Sequence, residues 1–230
     1  SQLIFGFITM IWFWKRQPET LAVSKRIPFR TATLNSGFIE FFKHKQAVAF
    51  TLISGFITGS FMVYLSTTQH IFEIQYDLGE DFPLIFASLA IGVGFATYLN
   101  GVYVVRIGMK RIALVSLAAY CLSALLYVVL FFNASNPPLW VLLTFFVIQF
   151  IAVGFLFGNL RALAMQPIGH IAGVGAAING FISTVLGVLI ASGIGAYVTT
   201  TAWPLFLGFS VCGMVSMLIF ILNKPLERTI

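Results

Sequence analysis

Long apolar runs separated by short polar breaks make up almost the whole chain after residue 46. Six of the runs are long enough to cross a bilayer, because a hydrocarbon core of about 30 Å needs roughly 20 residues in a helix. These runs cover residues 47–70, 83–105, 112–132, 139–160, 172–198 and 204–222. A further apolar piece at residues 3–14 is too short to span. The pattern predicts an all-α integral membrane protein with six full helices after a clipped one.

The positive charges add an orientation to this pattern. All thirteen Lys and Arg residues fall in the breaks, and basic breaks alternate with breaks that contain none. The basic stretches lie at residues 15–45, 106–111, at Arg161, and at 224–228. Since positively charged flanks stay in the cytoplasm during insertion, these four stretches are expected inside, and so is the C-terminus.

Composition agrees with a membrane protein and excludes several other classes. Hydrophobic residues make up 59% of the chain and charged residues 9%, against roughly 25% charged in a soluble domain. The net charge of +6 is carried by membrane-flanking loops, so we expect no nucleic-acid partner. Cys121 and Cys212 both lie inside apolar runs, which indicates packing residues and not a disulfide framework or a metal site.

The breaks also predict four regions along the chain. Residues 1–14 are the end of a truncated helix, 15–46 a cytoplasmic linker, 47–222 the six-helix bundle and 223–230 a cytoplasmic tail. Within the linker, Phe and Ile residues at 38–42 alternate with charged residues, as in a short helix lying on the inner leaflet. Six full helices with both ends cytoplasmic fit one half of a larger bundle, and a free-standing six-helix protein would look the same.

Ionisable residues are missing from the middle of every predicted span. Proton relays and ion coupling usually use such groups, so this chain offers none at mid-depth. Gln149 lies near the centre of its span and must find partners there, either a ligand or another helix. Asn100, Asn159 and Asn179 lie nearer the inner interface, where hydrogen bonding between helices is the favoured role. His70, near the outer carboxylates, is interpreted as an interfacial histidine in preference to a proton sensor or metal ligand.

Small residues predict close helix packing. On the fifth full helix, seven of them recur at steps of three or four and share one face: Gly173, Ala177, Gly180, Thr184, Gly187, Ala191 and Gly195. Shorter pairs repeat the pattern at Gly55 and Gly59, Gly92 and Ala96, and Gly154 and Gly158. By contrast, the sequence has no HExxH, GxSxG or Walker lysine motif. We therefore expect no enzyme, no bound metal and no cofactor.

The break between the second and third full helices carries a recognisable loop. It reads Gly101-Val-Tyr-Val-Val-Arg106-Ile-Gly108-Met-Lys110-Arg111, which resembles the cytoplasmic loop G-x-L-x-D-R-x-G-R-R of the major facilitator superfamily. Val105 stands where that motif has Asp. We expect Gly101 to allow close helix contact, Gly108 to allow a tight turn, and the three basic residues to hold the turn at the inner leaflet.

A second stretch is more specific. Residues 164–173 read Ala-Met165-Gln166-Pro167-Ile-Gly169-His170-Ile-Ala-Gly173, similar to the pattern A-M-E-P-x-G-H-x-A-G at the junction of helices ten and eleven in Bcr/CflA-type drug efflux transporters. Gln166 replaces the usual Glu, which puts a salt-bridge role of that acid in doubt. The run Pro18-Glu19-Thr20 resembles the end of the sixth helix in that family.

The resemblance implies the C-terminal half of a twelve-helix major facilitator bundle, built as two inverted three-helix repeats at 47–132 and 139–222. It also implies proton-coupled efflux of drugs or small amphipathic compounds across the bacterial inner membrane. The proton gradient supplies the energy, and the coupling acid lies in the missing N-terminal half. For the substrate cavity we select residues near mid-depth: Phe61, Met62, Tyr64, Phe145, Phe146, Gln149 and Asn179. The alternatives are a metabolite transporter with the same fold, carrying a sugar, amino acid or peptide-like cargo, and a non-transporting membrane scaffold.

Overall fold

The computed structural model describes residues 2–17, 31–132 and 135–223, with no side-chain detail for 31–34. The described residues form α-helices joined by short turns, and no β-strand occurs among them. The helices are α1 (Gln2–Arg16), α2 (Thr31–Lys43), α3 (Lys45–Gln69), α4 (Phe82–Ile107), α5 (Met109–Leu130), α6 (Leu139–Met165), α7 (Ala172–Gly195) and α8 (Trp203–Leu222). A π-helical turn follows α3 at His70–Gln75, and 3₁₀ turns lie at Gly79–Asp81 and Gln166–Ile171.

The six predicted spans correspond to α3 through α8. Among the described residues, five uninterrupted helical segments are long and apolar enough to cross a membrane. One of them, Leu139–Gly195, has 57 residues, and a straight helix of that length would measure about 85 Å. It contains two spans, α6 and α7, because Ile168 has the non-helical angles φ −124° and ψ 28° inside the connecting turn.

The chain divides into two compact units, residues 1–35 and residues 36–230. The first contains α1, whose described residues are all solvent-exposed and mostly apolar. The second contains the end of α2 and the whole six-helix bundle. Prolines open several bundle helices, with Pro83 and Pro204 in the first turns of α4 and α8 and Pro138 just before α6, where a missing N–H costs nothing.

The contacts inside the bundle have an internal symmetry. Helix α3 packs on α7 and α8, and α6 packs on α4 and α5. In addition, α3 contacts α6 and α5 contacts α8. Exchanging the triplet α3–α5 with the triplet α6–α8 interchanges the α3–α7 and α4–α6 contacts and the α3–α8 and α5–α6 contacts, and it leaves the α3–α6 and α5–α8 contacts unchanged. This is the arrangement of two three-helix repeats. Because each repeat crosses the membrane an odd number of times, the second repeat has the opposite orientation in the membrane to the first.

The two ends of the bundle differ in their connections. At one end lie the α4–α5 turn at Gly108 and the α6–α7 turn at Gln166–Ile171; we call this the motif end. At the opposite end lie the longer connections that follow α3, α5 and α7. The main apolar core runs between the two ends, formed largely by aromatic and aliphatic side chains of α3, α5, α6 and α8.

Candidate functional site

An aromatic cluster joins α3, α4 and α6 in the interior of the bundle. The ring of Tyr64 lies 4.6 Å from that of Phe150 and 5.2 Å from that of Phe146. Phe61 and Phe86 stack on the same ring at 6.1 and 6.2 Å. Tyr64 is only 2% exposed, and the polar neighbour of its hydroxyl is the Thr68 hydroxyl, one turn further along α3, with which it forms no hydrogen bond of regular geometry. The cluster therefore contains a buried hydroxyl surrounded by aromatic rings.

The edge of this cluster is more accessible than its centre. Phe61 and Phe86 are half-buried, and the Phe61 ring meets that of Phe157 at 5.7 Å. Phe86 and Phe157 were not among the residues predicted to line the cavity. Phe157 could have been found, because it follows Phe146 and Phe150 at helical spacing on α6. No sequence signal distinguishes Phe86 from the other aromatic residues.

Gln149 faces a different side of α6 from Phe146 and Phe150. Its Nε2 donates to the backbone oxygen of Tyr120, at 3.1 Å, and to Ser123 Oγ, at 3.0 Å, both on α5. The Tyr120 hydroxyl in turn donates to Ser60 Oγ at 2.7 Å. Gln149 is fully buried, and its Oε1 has no partner within the described ranges. The structure thus gives Gln149 a role in joining α6 to α5, in place of the cavity position expected for it.

Phe145 lies on the same side of α6 as Gln149, one turn earlier. Its ring contacts those of Tyr127, Phe131 and Phe206 at 5.1, 6.4 and 6.0 Å. These partners belong to α5, its C-terminal end and α8, so Phe145 points away from α3 and α4. Phe146 also contacts Phe206, at 5.2 Å, but it additionally reaches Tyr64 on α3, because neighbouring residues on a helix differ by about 100° in direction. The shared cavity surface expected for Phe145 and Phe146 stays a prediction.

Met62 and Asn179 both lie at the contact between α3 and α7. Asn179 Nδ2 donates to Thr51 Oγ1 at 2.8 Å, and both residues are buried. Gly187 faces Met62, since a Cβ at Gly187 would lie 2.9 Å from the Met62 sulfur. Of the seven selected cavity residues, the structure brings Phe61, Tyr64 and Phe146 together and places the other four at helix contacts elsewhere.

The seven-residue small stripe on α7 divides into two parts. Gly187, Ala191 and Gly195 are buried or half-buried, whereas Gly173, Ala177, Gly180 and Thr184 are exposed. A Cβ added at Gly173 or at Gly180 would have no neighbouring atom within 4 Å in the part of the chain that the structure describes. Only one end of the stripe therefore packs inside this bundle.

The loop motif forms the turn between α4 and α5. Gly108 has φ +87° and ψ 142°, a conformation that residues with a Cβ rarely adopt. Arg106 and Arg111 are exposed at this turn. Gly101 is also exposed, and a Cβ there would meet no atom of the described residues within 4 Å. The close contact expected at Gly101 is thus absent from this bundle, because that side of α4 faces outward.

The junction motif forms the turn between α6 and α7. Ile168 is fully buried, and Gly169 and His170 are exposed. Met165 and Ile168 both lie against Gly175, where a Cβ would come within 2.6 Å of the Ile168 side chain. Gln166 Oε1 accepts a hydrogen bond from Gln46 Nε2 at 3.2 Å. A neutral amide pair therefore occupies the position where the resemblance places a Glu.

Hydrogen bonds join the three connections at the opposite end. His70 Nε2 lies 2.6 Å from the backbone oxygen of Thr199, and Asn136 Nδ2 donates to Gln75 Oε1 at 3.1 Å. The Tyr76 hydroxyl donates to the Pro137 carbonyl at 2.7 Å. Burial raises the pKa of Tyr76 to about 12, which keeps that donor protonated at neutral pH. No group of three metal-binding side chains occurs among the described residues.

Two helices of the bundle keep broad apolar faces open. On α4, Ile91, Phe95 and Tyr98 are 72%, 59% and 69% exposed. On α7, Phe181 and Leu189 are 71% and 64% exposed. Each of these helices has one main partner in the bundle, α6 for α4 and α3 for α7. The open faces suit lipid or further helices, since neither contains a mid-span charge.

Comparison with known proteins decides the family. Residues 2–192 match the Major Facilitator Superfamily, which is most of the chain. The chain belongs to the major facilitator superfamily. Members of this superfamily are transporters, not enzymes, and the apolar helices make the chain a multi-pass membrane protein. The symmetric contacts between the two helix triplets agree with a partial bundle of that superfamily.

Two curated superfamily relatives cover nearly the whole chain. It is 26% identical to the uncharacterized MFS-type transporter YdgK of Bacillus subtilis over 221 residues, covering 95% of this chain and 54% of that protein. It is 22% identical to a bicyclomycin resistance protein homolog of Haemophilus influenzae over 205 residues, covering 88% and 51%. The chain therefore spans about half the length of the curated relatives it matches. No solved structure matches it significantly.

Proposed function

We propose that this chain is the C-terminal half of a proton-coupled transporter that exports drugs or other small amphipathic compounds across the bacterial inner membrane. The aromatic cluster around Tyr64 is the observation that carries the proposal. It offers stacking rings at its half-buried edge and a buried hydroxyl that makes no hydrogen bond of regular geometry among the described residues. Such a surface can bind varied flat or cationic compounds, because ring faces attract cations and apolar groups alike.

The open faces of α4 and α7 support the second part of the proposal, a missing six-helix half. Both helices expose large apolar side chains near mid-depth, and the exposed part of the small stripe on α7 would allow another helix to approach closely. The matched relatives are about twice as long as the aligned segment. In the proposed protein, the two halves enclose the substrate and rock against each other.

Proton coupling is proposed from the resemblance and from the distribution of charge. The spans contain no Asp, Glu, Lys or Arg at mid-depth, so a coupling acid would belong to the other half. The name of the Haemophilus relative, a bicyclomycin resistance protein homolog, favours export of a toxic compound over uptake of a metabolite. The expected orientation places the motif end and the C-terminus in the cytoplasm.

The test uses the full-length parent protein in cells. Its expression in a host without its own broad-range pumps should raise tolerance to at least one compound of a panel of lipophilic cations and antibiotics. Tyr64→Ala and Phe150→Ala should change which compounds are tolerated, whereas Leu122→Ala, at a 67% exposed position on α5, should leave the ranking unchanged. If no compound is tolerated better, or if only a sugar or amino acid is transported, the export proposal is wrong.

A further inference from the structure

The turn between α6 and α7 reverses the chain within six residues and without an extended loop. Gln166–Ile171 forms a 3₁₀ turn in which Ile168 has φ −124° and ψ 28°. Ile171 has similar angles, φ −117° and ψ 28°. The start of α7 therefore depends on a few backbone angles, and contacts that hold this turn also set the direction in which α7 leaves it.

Pro167 leaves one carbonyl of α6 without its helical partner. The N–H of Gln166 donates to the Ala162 oxygen, which continues the regular α-helical pattern. The next donor would be the N–H of residue 167 to the Leu163 oxygen, but proline has no N–H. Leu163 is buried, and an unpaired carbonyl in such a place lowers stability.

A side chain from another helix supplies the missing donor. Gln46, in the first turn of α3, donates from Nε2 to the Leu163 oxygen at 3.1 Å and to Gln166 Oε1 at 3.2 Å. One amide thus satisfies the carbonyl that Pro167 leaves open and also holds the side chain of the preceding residue. The interaction joins residues 117 positions apart in sequence.

Residues at the end of α2 hold the same turn at two further points. Phe41 is fully buried in a small apolar cluster with Ile168, Ala47 and Ile178. Glu40 Oε1 lies 2.5 Å from His170 Nε2, with both side chains partly exposed. By contrast, the neighbouring Phe42 is 47% exposed. The three contacts made by Glu40, Phe41 and Gln46 form what we call the linker brace.

We propose that the linker brace positions the α6–α7 turn for transport, with Glu40, Phe41 and Gln46 as positioning residues that touch no substrate. Helix α7 starts at this turn and packs along α3, so the brace fixes its starting point relative to α3. The inference rests on the proposed transport function. Loosening the brace should slow the conformational step that limits turnover and should leave substrate affinity nearly unchanged.

The first experiment tests the proline-linked carbonyl in the full-length protein. Gln46→Leu should lower the melting temperature by a few degrees. Adding Pro167→Ala should recover most of that loss, because the substitution returns an N–H that can donate to the Leu163 oxygen. Gln69→Leu is the matched control, since Gln69 lies at the other end of α3 and donates only to exposed Glu73 among the described contacts. If Gln46→Leu behaves like Gln69→Leu, or if Pro167→Ala rescues nothing, the role assigned to Gln46 is wrong.

The second experiment separates positioning from general stability. Phe41→Ala and the milder Glu40→Gln should each reduce kcat for a transported compound several-fold while KM changes less than about twofold. Phe38→Ala is the control, because it removes the same ring from a 50% exposed position on the same helix, and its ring contact is with Phe42 and not with Phe41. Equal effects of Phe41→Ala and Phe38→Ala on kcat, or a change in KM alone, would overturn the inference.

A third measurement does not require a known substrate. Spin labels at exposed Arg161 on α6 and exposed Ala172 at the start of α7 report the distance across the turn, in a background where Cys121 and Cys212 are replaced by Ser. The distribution should be narrow with the brace intact and broader with Gln46→Leu. An unchanged distribution would contradict the brace. If the distance distribution becomes broader with Gln46→Leu but the full-length protein transports nothing, the proposed transport function is wrong, and the linker brace still holds the α6–α7 turn.

Discussion

The α3–α7 and α4–α6 crossings are equivalent under exchange of the two repeats, but their chemistry is only partly the same. Each joins the first helix of one repeat to the second helix of the other. Each uses a pair of glycines four residues apart, on α3 or on α6. Each also has one asparagine hydrogen bond, from Asn179 to Thr51 at 2.8 Å and from Asn159 to Asn100 at 2.6 Å.

The difference lies in what the glycines face. A Cβ at Gly154 would lie 2.7 Å from the Val93 backbone oxygen and 2.7 Å from Ala96 Cβ. At Gly59, by contrast, the nearest atoms belong to the Ile190 side chain, at 2.7 and 2.9 Å. Helix α6 therefore approaches the α4 backbone itself, whereas α3 receives large side chains of α7. The α4–α6 crossing should be the more rigid one, because a rotamer change can move Ile190 Cδ1 away from Gly59, although not the Ile190 Cβ, whereas the Val93 backbone oxygen cannot move in this way.

The largest effect is expected for Gly154→Ala. The methyl group cannot be accommodated without separating α4 and α6, so we expect a loss of about 1–3 kcal/mol, near the upper end of the overpacking range. Ala96→Gly should not restore stability, because the Val93 oxygen remains in place. Thermal unfolding of the full-length protein measures this, with Gly94→Ala as control, since a Cβ there meets nothing within 4 Å among the described residues. Rescue by Ala96→Gly would show that the contact is between side chains after all.

Gly59→Ala should have a smaller effect, and a second substitution should correct it. Ile190 is β-branched and restricted in rotamer, so the added methyl should cost about 1–2 kcal/mol of overpacking. Ile190→Val removes the Cδ1 atom that lies 2.7 Å from the added Cβ. The double mutant should therefore be more stable than Gly59→Ala alone, as measured by a double-mutant cycle. Additive losses in that cycle would mean that Gly59 faces backbone, and the contrast between the crossings would disappear.

The two asparagines should contribute similar, moderate amounts. Asn159→Ala removes the bonds to Asn100 and to the Phe155 oxygen, and Asn179→Ala removes the bond to Thr51. Interhelical hydrogen bonds in membranes contribute about 0.6 kcal/mol on average and about 1.7 at most. Midpoints of thermal unfolding should fall by comparable amounts for both variants. If only one of the two variants lost stability, the prediction of similar contributions would be wrong, and the two crossings would differ in their hydrogen bonds as well as in their glycines.

Gly55→Ala should have the smallest effect of the series. Its Cβ would meet Leu186 Cδ1 at 2.7 Å, but Leu186 Cβ lies farther away at 3.3 Å. An unbranched Cβ leaves Leu186 free to change rotamer, and alanine improves helix propensity by up to about 1 kcal/mol. We expect a net change within about 0.5 kcal/mol in the same unfolding measurement. A loss as large as that of Gly154→Ala would contradict the view of α3–α7 as adjustable.

The position of a residue along its helix could be predicted from the sequence, and rotation about the helix axis could not. Helix α6 begins at Leu139 as expected, because the Pro137-Pro138 break precedes its apolar run. The place of Gln149 near the middle of α6 follows in the same way, but its direction toward Tyr120 depends on how α5 and α6 pack. An almost uniformly apolar helix gives no hydrophobic face to orient it. The direction of Phe145 toward α5 and α8 could not be predicted for the same reason.

Small residues were informative only where another helix of this chain meets them. Gly154 and Gly59 lie at close crossings, as their spacing predicts. Gly92 has the same spacing to Ala96, yet a Cβ there would meet none of the described atoms within 4 Å. A Cβ at Gly180, on the exposed part of the small stripe, would likewise meet none of the described atoms within 4 Å. The sequence pattern marks a helix surface that permits close approach, and the fold decides which part of that surface is used here.

Proton-driven export by the full-length protein is the most direct test of the account. Purified protein is reconstituted into liposomes with an acidic lumen, and lumen pH is followed while lipophilic cations are added outside. We predict that at least one compound accumulates inside while the lumen loses protons, and that collapsing the pH gradient with a protonophore beforehand abolishes both compound-dependent changes. Protein-free liposomes should show neither. Compound movement without a change in lumen pH, or no movement of any compound by folded protein, would contradict it.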